Sequence, residues 1–153
     1  MKKVQVEPFY VAGLAIRTHN TDGQALKDIQ ALWGRFFNEQ VASKVPGKIS
    51  DDVYSVYCEY ESDHTGAYTT LLGVRVNGLP AELPEGFRAL AFEGGTYTIY
   101  TAKGNIHEGI IGQTWEHIWN TAQDRRFTAD FEVYGPRSAD TANAEVDIYI
   151  AIK

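Results

Sequence analysis

The sequence has little cysteine and none of the common metal or nucleotide motifs. Its one cysteine, Cys58, excludes an internal disulfide framework and a metal site built from cysteine alone. The four histidines form no HExxH motif and show no zinc-type spacing with cysteine. Phosphate-binding loops of the GxxxxGK[ST] or GxGxxG type are also lacking, as is a serine or cysteine nucleophile motif. We therefore expect no metal and no other cofactor.

Positive charge is scarce and scattered. Lys and Arg number 14 against 20 Asp and Glu, for a formal net charge of −6, and no basic run is longer than two residues. Binding to a phosphate backbone needs clustered positive charge, so nucleic acid is not expected as a direct partner. An acidic chain favours cationic or neutral partners.

Long hydrophobic runs are missing as well. No window approaches the roughly 18 apolar residues of a membrane span, and the amino terminus has no run of signal-peptide length. We expect a cytoplasmic protein with no membrane partner. Its 153 residues, 44% of them hydrophobic, suit one globular domain.

Aromatic residues are abundant, and they recur in two similar halves. A shift of 82 positions places Trp33 on Trp115, Phe37 on Trp119 and Asn38 on Asn120. We interpret the chain as a tandem duplication of a β-α-β-β unit, an α+β fold with antiparallel sheets, two helices and a cleft between the repeats. The expected single domain has repeat one at about 4–77, a linker at 78–86 and repeat two at about 87–153.

The predicted elements follow from hydrophobic periodicity and from turn residues. The predicted helices are 24–41 and 105–122. The predicted strands are 9–17, 52–61, 68–77, 87–92, 96–101, 129–134 and 145–152.

Alternation along the strands predicts which side chains share a face. Glu132 shares a face with Tyr134, whereas Phe131 and Val133 point the other way and are expected to face the helix-covered core. In the last strand Val146, Ile148 and Ile150 take the core face, which leaves Asp147 and Tyr149 on the side of Glu132. In the strand at 52–61, Tyr57 shares a face with Ser55 and Glu59 and alternates with Val56 and Cys58.

Two interpretations of these residues stay open on pattern alone. Glu132 is either a solvated strand carboxylate beside ordinary tyrosine packing, or the acidic floor of an aromatic cleft suited to a flat cation. Trp33, Trp115 and Trp119 lie on amphipathic helices, where they either pack in the core or form a pocket wall.

Four segments resemble the GyrI-like effector-binding domains: 54–63, 115–119, 126–134 and 145–153. Domains of this kind are also fused to AraC-type and multidrug-sensing MerR-type transcription activators. The resemblance covers essentially the whole chain and is closest to the stand-alone branch that includes integron-cassette proteins.

This resemblance implies a tandem β-α-β-β fold that binds hydrophobic, often cationic, aromatic compounds between its repeats. A strand glutamate contacts the ligand in the family, and Glu132 stands at the matching position; Trp115, Tyr134 and Tyr149 are carried over with it. With the aromatic residues identified by pattern, the candidate ligand-binding set is Glu132, Trp115, Tyr134, Tyr149, Tyr57, Trp33 and Trp119.

The leading hypothesis is a stand-alone binding module for amphipathic, cationic aromatic molecules. Because the chain begins at its first strand, without space for a helix-turn-helix, we do not expect it to be a whole transcription regulator. The resemblance leaves two alternatives, a hydrolase of strained cyclopropane-containing compounds with Glu132 as general base and an inhibitor of a protein such as DNA gyrase. Pairing of edge strands into a homodimer also stays open.

Overall fold

The computed structural model describes residues 2–153, which form eight strands and three α-helices. The helices are α1 (Gln24–Asn38), the short α2 (Val41–Lys44) and α3 (Ile110–Thr121). The strands are β1 (Lys2–Val6), β2 (Phe9–Thr18), β3 (Lys48–Cys58), β4 (Tyr68–Val76), β5 (Phe87–Phe92), β6 (Gly95–Gly104), β7 (Ala129–Tyr134) and β8 (Ala144–Ala151).

All eight strands belong to one antiparallel sheet in the order β1-β6-β8-β7-β3-β4-β2-β5. The order is symmetric about the β7–β3 pair. From the centre outward, the first half contributes β3, β4 and β2, and the second half contributes β7, β8 and β6. The outermost strands are exchanged: β1 pairs with β6 of the second half, and β5 pairs with β2 of the first. The α+β class is confirmed, and each structural repeat has one more strand than the predicted β-α-β-β unit.

The sheet curves until its two edges are joined by the chain. β1 continues into β2 through Glu7 and Pro8, and β5 continues into β6 through Glu93 and Gly94. The curved sheet encloses an aromatic core to which all eight strands contribute, with Phe9, Phe92, Tyr97 and Phe131 among its buried members. The other face of the sheet carries the helices, so both faces are largely buried.

The helices pack on that second face through their apolar stripes. Leu32 and Phe36 of α1 pack with Leu14, Leu72 and Val74 of the sheet. In the second half, Ile118 of α3 packs against Tyr100, Ile148 and Ile150. The two helices therefore lie on one side of the sheet, on either side of its central strands.

The element bounds differ from prediction at a few places. α1 ends at Asn38 because Gln40 takes left-handed backbone angles (φ 50°), after which a separate turn of helix begins at Val41. In the second half, a 3-10 turn occupies Ile106–Glu108 before α3 starts at Ile110. Strand β1 was not predicted, because its residues are mostly polar and exposed.

Cys58 is buried, as expected of an inert thiol, and burial raises its pKa to about 12. Within residues 2–153 no helix has the length and apolar character needed to cross a membrane. The same residues contain no group of three His, Cys, Asp or Glu side chains placed to hold a metal ion.

Gly94 is required where the sheet edges join. Its φ is 75°, and a Cβ placed there would lie 2.1 Å from the carbonyl oxygen of Val6. Because alanine would suffer both backbone strain and this clash, we expect Gly94→Ala to lower the free energy of unfolding by about 1–3 kcal/mol. Urea denaturation of both proteins measures this difference in the free energy of unfolding. Gly34→Ala, at a helical site with no atom near the new Cβ, is the control, and should be neutral or stabilising.

Candidate ligand-binding site

Glu132 lies at the centre of the sheet on the face that carries the helices. Its strand, β7, runs between β3 and β8, and Glu132 is paired with Ser55 on one side and Ile148 on the other. The residue is only 1% exposed. A carboxylate is thus enclosed between the sheet and the helices.

Three hydrogen-bond donors from three elements meet at this carboxylate. Tyr57 of β3 donates its hydroxyl to Oε2 at 2.9 Å, and Trp115 of α3 donates its indole Nε1–H to the same oxygen at 2.6 Å. Tyr134 of β7 donates its hydroxyl to Oε1 at 2.5 Å. Ser55 extends the network by donating to the hydroxyl of Tyr57 at 3.2 Å.

All of these donors are neutral. Among residues 2–153, no lysine, arginine or histidine forms an ion pair with Glu132. Burial of a carboxylate without a cation is unfavourable, and hydrogen bonds offset only part of the lost hydration. A negative charge on Glu132 therefore has no countercharge among residues 2–153.

The pKa of Glu132 reflects this balance. Burial raises the pKa above its usual 4.5, and the hydrogen bonds from Tyr134, Trp115 and Tyr57 lower it in part. The pKa values of Tyr57 and Tyr134 are raised well above 10 by burial and by the nearby carboxylate, so both phenols stay protonated donors.

Aromatic rings line the surroundings of Glu132. Trp33 of α1 contacts Tyr134 edge to face, with ring centroids 4.8 Å apart. Tyr57 makes similar contacts with Trp115 at 5.3 Å and with Tyr68 at 5.9 Å. The resulting group joins both repeats in one aromatic cluster around a single carboxylate.

A second buried carboxylate, Asp130, lies two residues before Glu132 and is neutralised within the chain. Arg125 forms an ion pair with it at 2.8 Å, and both side chains are almost fully buried. Tyr60 donates its hydroxyl to Asp130 at 2.5 Å, and the backbone N–H of Ala151 donates at 2.8 Å. Of these two buried carboxylates, Glu132 is the one without a cationic partner among residues 2–153.

The structure reverses the predicted faces of β7. Glu132 and Tyr134 lie on the helix side, whereas Phe131 and Val133 point into the enclosed aromatic core. The expectation that Phe131 and Val133 face the helices was therefore wrong. The cause of the error is the curvature of the sheet. Both faces of the sheet are buried, so apolar residues do not indicate which face carries the helices.

Tyr149 is separated from Glu132 for the same reason. The β7–β8 register pairs Tyr149 with Phe131 and places Ile148 opposite Glu132. Tyr149 stacks on Phe131 with ring centroids 4.5 Å apart, inside the other core. The expectation that Tyr149 shares a face with Glu132 was wrong, since directly paired residues occupy the same face.

The other candidates divide between the cluster and the surface. Tyr57, Trp115 and Tyr134 contact Glu132 directly, and Trp33 contacts Tyr134. Trp119 is 36% exposed and stacks on His64 of the β3–β4 loop, at 5.6 Å between ring centroids. Sequence analysis missed two further residues of the cluster, Ser55 and Tyr68. The pairing of β3 with β7 places Ser55 opposite Glu132, and the pairing of β3 with β4 places Tyr68 beside Tyr57.

Two open grooves lie elsewhere on the surface. One, of about 750 Å³, is lined by Tyr100, His117, Arg137 and Asp147 among others. Another, of about 500 Å³, lies beside Arg17, Glu59 and Arg88. Neither is lined by Glu132, over which the aromatic side chains close.

One family model matches nearly the whole chain. The model of the integron-associated effector binding protein family, Cass2, matches residues 4–152. The chain belongs to this family. The resemblance to GyrI-like effector-binding domains is thereby confirmed, together with the effector-binding character of the chain.

Individual relatives cover nearly the whole chain. YobU of Bacillus subtilis (strain 168), named as a candidate transcriptional regulator, is 30% identical in a 146-residue alignment that covers 93% of this chain and 91% of YobU. The integron cassette protein VCH_CASS2 of Vibrio cholerae is 27% identical with a TM-score of 0.73. The alignment covers 99% of this chain and 95% of the VCH_CASS2 chain.

A more distant structure shares the fold. SAV2435, solved bound to tetraphenylphosphonium, has a TM-score of 0.75 at 17% identity. The alignment covers 99% of this chain and 93% of SAV2435. At that level of identity the similarity establishes the common architecture.

The indole of Trp115 offers a direct test of the site's electrostatics. Because its N–H stabilises the anionic carboxylate, we expect Trp115→Phe to raise the pKa of Glu132 further. The side-chain carboxyl ¹³C shift of Glu132, followed against pH by NMR, reports this pKa. Trp119→Phe is the matched control and should leave the titration unaltered; an unchanged or lowered pKa in Trp115→Phe contradicts the hydrogen-bond network.

Proposed function

We propose that the protein is a binding module for amphipathic aromatic cations, with the Glu132 carboxylate as the charge that selects them. The observation that carries this proposal is a carboxylate only 1% exposed that has three neutral donors and no cation. A ligand cation would supply the missing countercharge. The formal net charge of −6 would also favour the approach of cations over anions.

The hydrogen bonds at Glu132 indicate what kind of cation fits. Tyr57, Trp115 and Tyr134 already supply the N–H and O–H donors that a carboxylate needs. A cation with delocalised charge and no N–H groups can lie near this carboxylate without leaving its own donors unpaired. Primary ammonium and guanidinium ions, by contrast, would need acceptors that are already engaged.

The aromatic rings support the same ligand class. Trp33, Trp115 and Tyr57 offer ring faces and edges to a flat or propeller-shaped cation, and each cation–π contact contributes about 0.5–2 kcal/mol. The tetraphenylphosphonium complex of SAV2435 shows that a protein of this fold can hold such a cation. Membership of an effector-binding family supports a small-molecule ligand for this chain.

Two ions of nearly the same shape and opposite charge test the proposal. Tetraphenylphosphonium and tetraphenylborate present the same four phenyl rings, so their difference in affinity isolates the charge. We expect isothermal titration calorimetry to show saturable one-to-one binding of the phosphonium ion, and binding of the borate weakened by at least about 30-fold. Equal affinities, or no saturable binding of the cation, would overturn the proposal.

A further inference from the structure

Two buried guanidinium nitrogens of Arg125, Nε and Nη1, have no hydrogen-bond partner among residues 2–153. It lies between α3 and β7, and its side chain is 5% exposed. Nη2 donates to Asp130 at 2.8 Å, whereas Nε and Nη1 are enclosed without an acceptor. A buried charged group with unpaired donors is unfavourable, and an acceptor from outside the chain would remove that penalty.

This arginine adjoins the Glu132 site. Its guanidinium carbon lies 6.0 Å from the centre of the Trp115 ring, the same indole that donates to Glu132. Asp130, its ion-pair partner, shares a strand face with Glu132, and residues two apart on a strand are separated by roughly 7 Å. A drug-sized molecule bound at Glu132 would therefore be long enough to reach Arg125.

The backbone around Arg125 is strained. Asp124 and Phe127 both take left-handed angles, with φ of 59° and 55°. That conformation is unusual for a bulky residue such as Phe127, whose ring lies 4.2 Å from the Arg125 guanidinium. Strain of this kind is concentrated at functional sites. Here it holds an aromatic ring over the unpaired donors.

Other unpaired polar atoms lack this setting. Arg75 lies over Phe9, in the enclosed core on the opposite face of the sheet. Arg126 donates to the carbonyl of Gly94 at the joined edges. The Thr70 hydroxyl is on the helix face opposite Tyr57, but it carries no charge that needs an acceptor.

We propose that Arg125 forms an acceptor subsite of the same ligand site, so that the preferred ligands are aromatic cations that also carry a carbonyl or carboxylate oxygen. Glu132 receives the positive end, and Arg125 donates Nε–H and Nη1–H to the oxygen beneath Phe127. Asp130 does not compete for the cation, because Arg125, Tyr60 and Ala151 already occupy its oxygens. The inference rests on the proposed cation-binding function and names its ligand class more closely.

A matched pair of dyes separates the two halves of the site. Tetramethylrosamine and tetramethylrhodamine methyl ester share the same xanthylium cation, and only the second carries an ester oxygen. We expect the wild-type chain to bind the ester about ten-fold more tightly, the effect of a charge-assisted hydrogen bond. Fluorescence anisotropy of each dye against protein concentration measures both dissociation constants.

Arg125→Lys tests the donor role while a cation remains beside Asp130. The variant should lose the preference for the ester and keep its affinity for tetramethylrosamine. Arg125→Met combined with Asp130→Asn removes the ion pair as a unit and should give the same result, with near-ultraviolet circular dichroism to confirm folding. Arg126→Lys, the neighbouring arginine, is the control that should retain the preference.

The outcomes distinguish this inference from the function on which it rests. If both dyes bind equally to the wild type, or if the preference survives in both Arg125 variants, the acceptor subsite is refuted while cation binding stands. If neither dye binds, the proposed function fails and the subsite fails with it. A preference that disappears in both variants supports the assignment.

Discussion

Glu132→Gln should lower the affinity for tetraphenylphosphonium by at least about 30-fold, because removal of one member of a buried charge pair costs about 2 kcal/mol or more. Glutamine has nearly the same shape and can keep the contacts with Trp115, Tyr57 and Tyr134 through its amide. The affinity for tetraphenylborate should stay constant or rise. Calorimetric titration of both ions into both proteins gives the comparison.

The same variant should not lose stability. The folded pKa of Glu132 is raised, so the anionic form weakens the folded state as pH rises above 4.5 and through the folded pKa. Glutamine lacks this charge, and we expect its free energy of unfolding at neutral pH to equal or exceed that of the wild type. Glu145→Gln, on the surface, is the control for binding. Equal loss of affinity for the cation and the borate would show that shape, and not charge, governs the site.

Phe131→Ala should destabilise the chain by about 3–5 kcal/mol, the usual range for removing a buried phenylalanine. Phe131 is 3% exposed and contacts four aromatic rings, those of Phe9, Tyr54, Tyr97 and Tyr149, at centroid distances of 4.5–5.7 Å. Its loss leaves a cavity in the enclosed core. Urea denaturation followed by circular dichroism measures the change.

Phe37→Ala provides the comparison, because Phe37 is 64% exposed on α1. We expect its effect to stay below about 1 kcal/mol. Phe131 also points away from Glu132, so the folded Phe131→Ala protein should still bind tetraphenylphosphonium. A loss of stability no larger than that of Phe37→Ala would mean that the enclosed core is not packed as described.

Much of the fold follows from periodicity. The repeated spacing of Trp33 and Trp115 revealed the duplication, and all seven predicted strands and both long helices are present in the structure. Strand β1 was not predicted because only two of its five residues, Val4 and Val6, are apolar, which is too short a pattern to indicate a strand. The exchange of β1 and β5 between the halves depends on long-range pairing, which local pattern does not encode.

Alternation predicted part of the geometry around Glu132 and gave the wrong face of the sheet. Alternation placed Glu132 and Tyr134 on one face, but only the β7–β8 register could show that Tyr149 belongs to the other. Cross-strand register also brings Ser55 opposite Glu132. The ion pair of Arg125 with Asp130 joins residues five apart across a turn, where neither helical nor strand spacing gives a signal.

The most direct test of the central claim is the pH dependence of tetraphenylphosphonium binding. If the cation binds the ionised Glu132 carboxylate, the dissociation constant should rise about ten-fold for each pH unit below the raised pKa of this group, and should level off above it. Glu132→Gln should remove that dependence. An affinity that does not change with pH in the wild type, or a dependence that persists in Glu132→Gln, would contradict the assignment of Glu132 as the cation-binding charge.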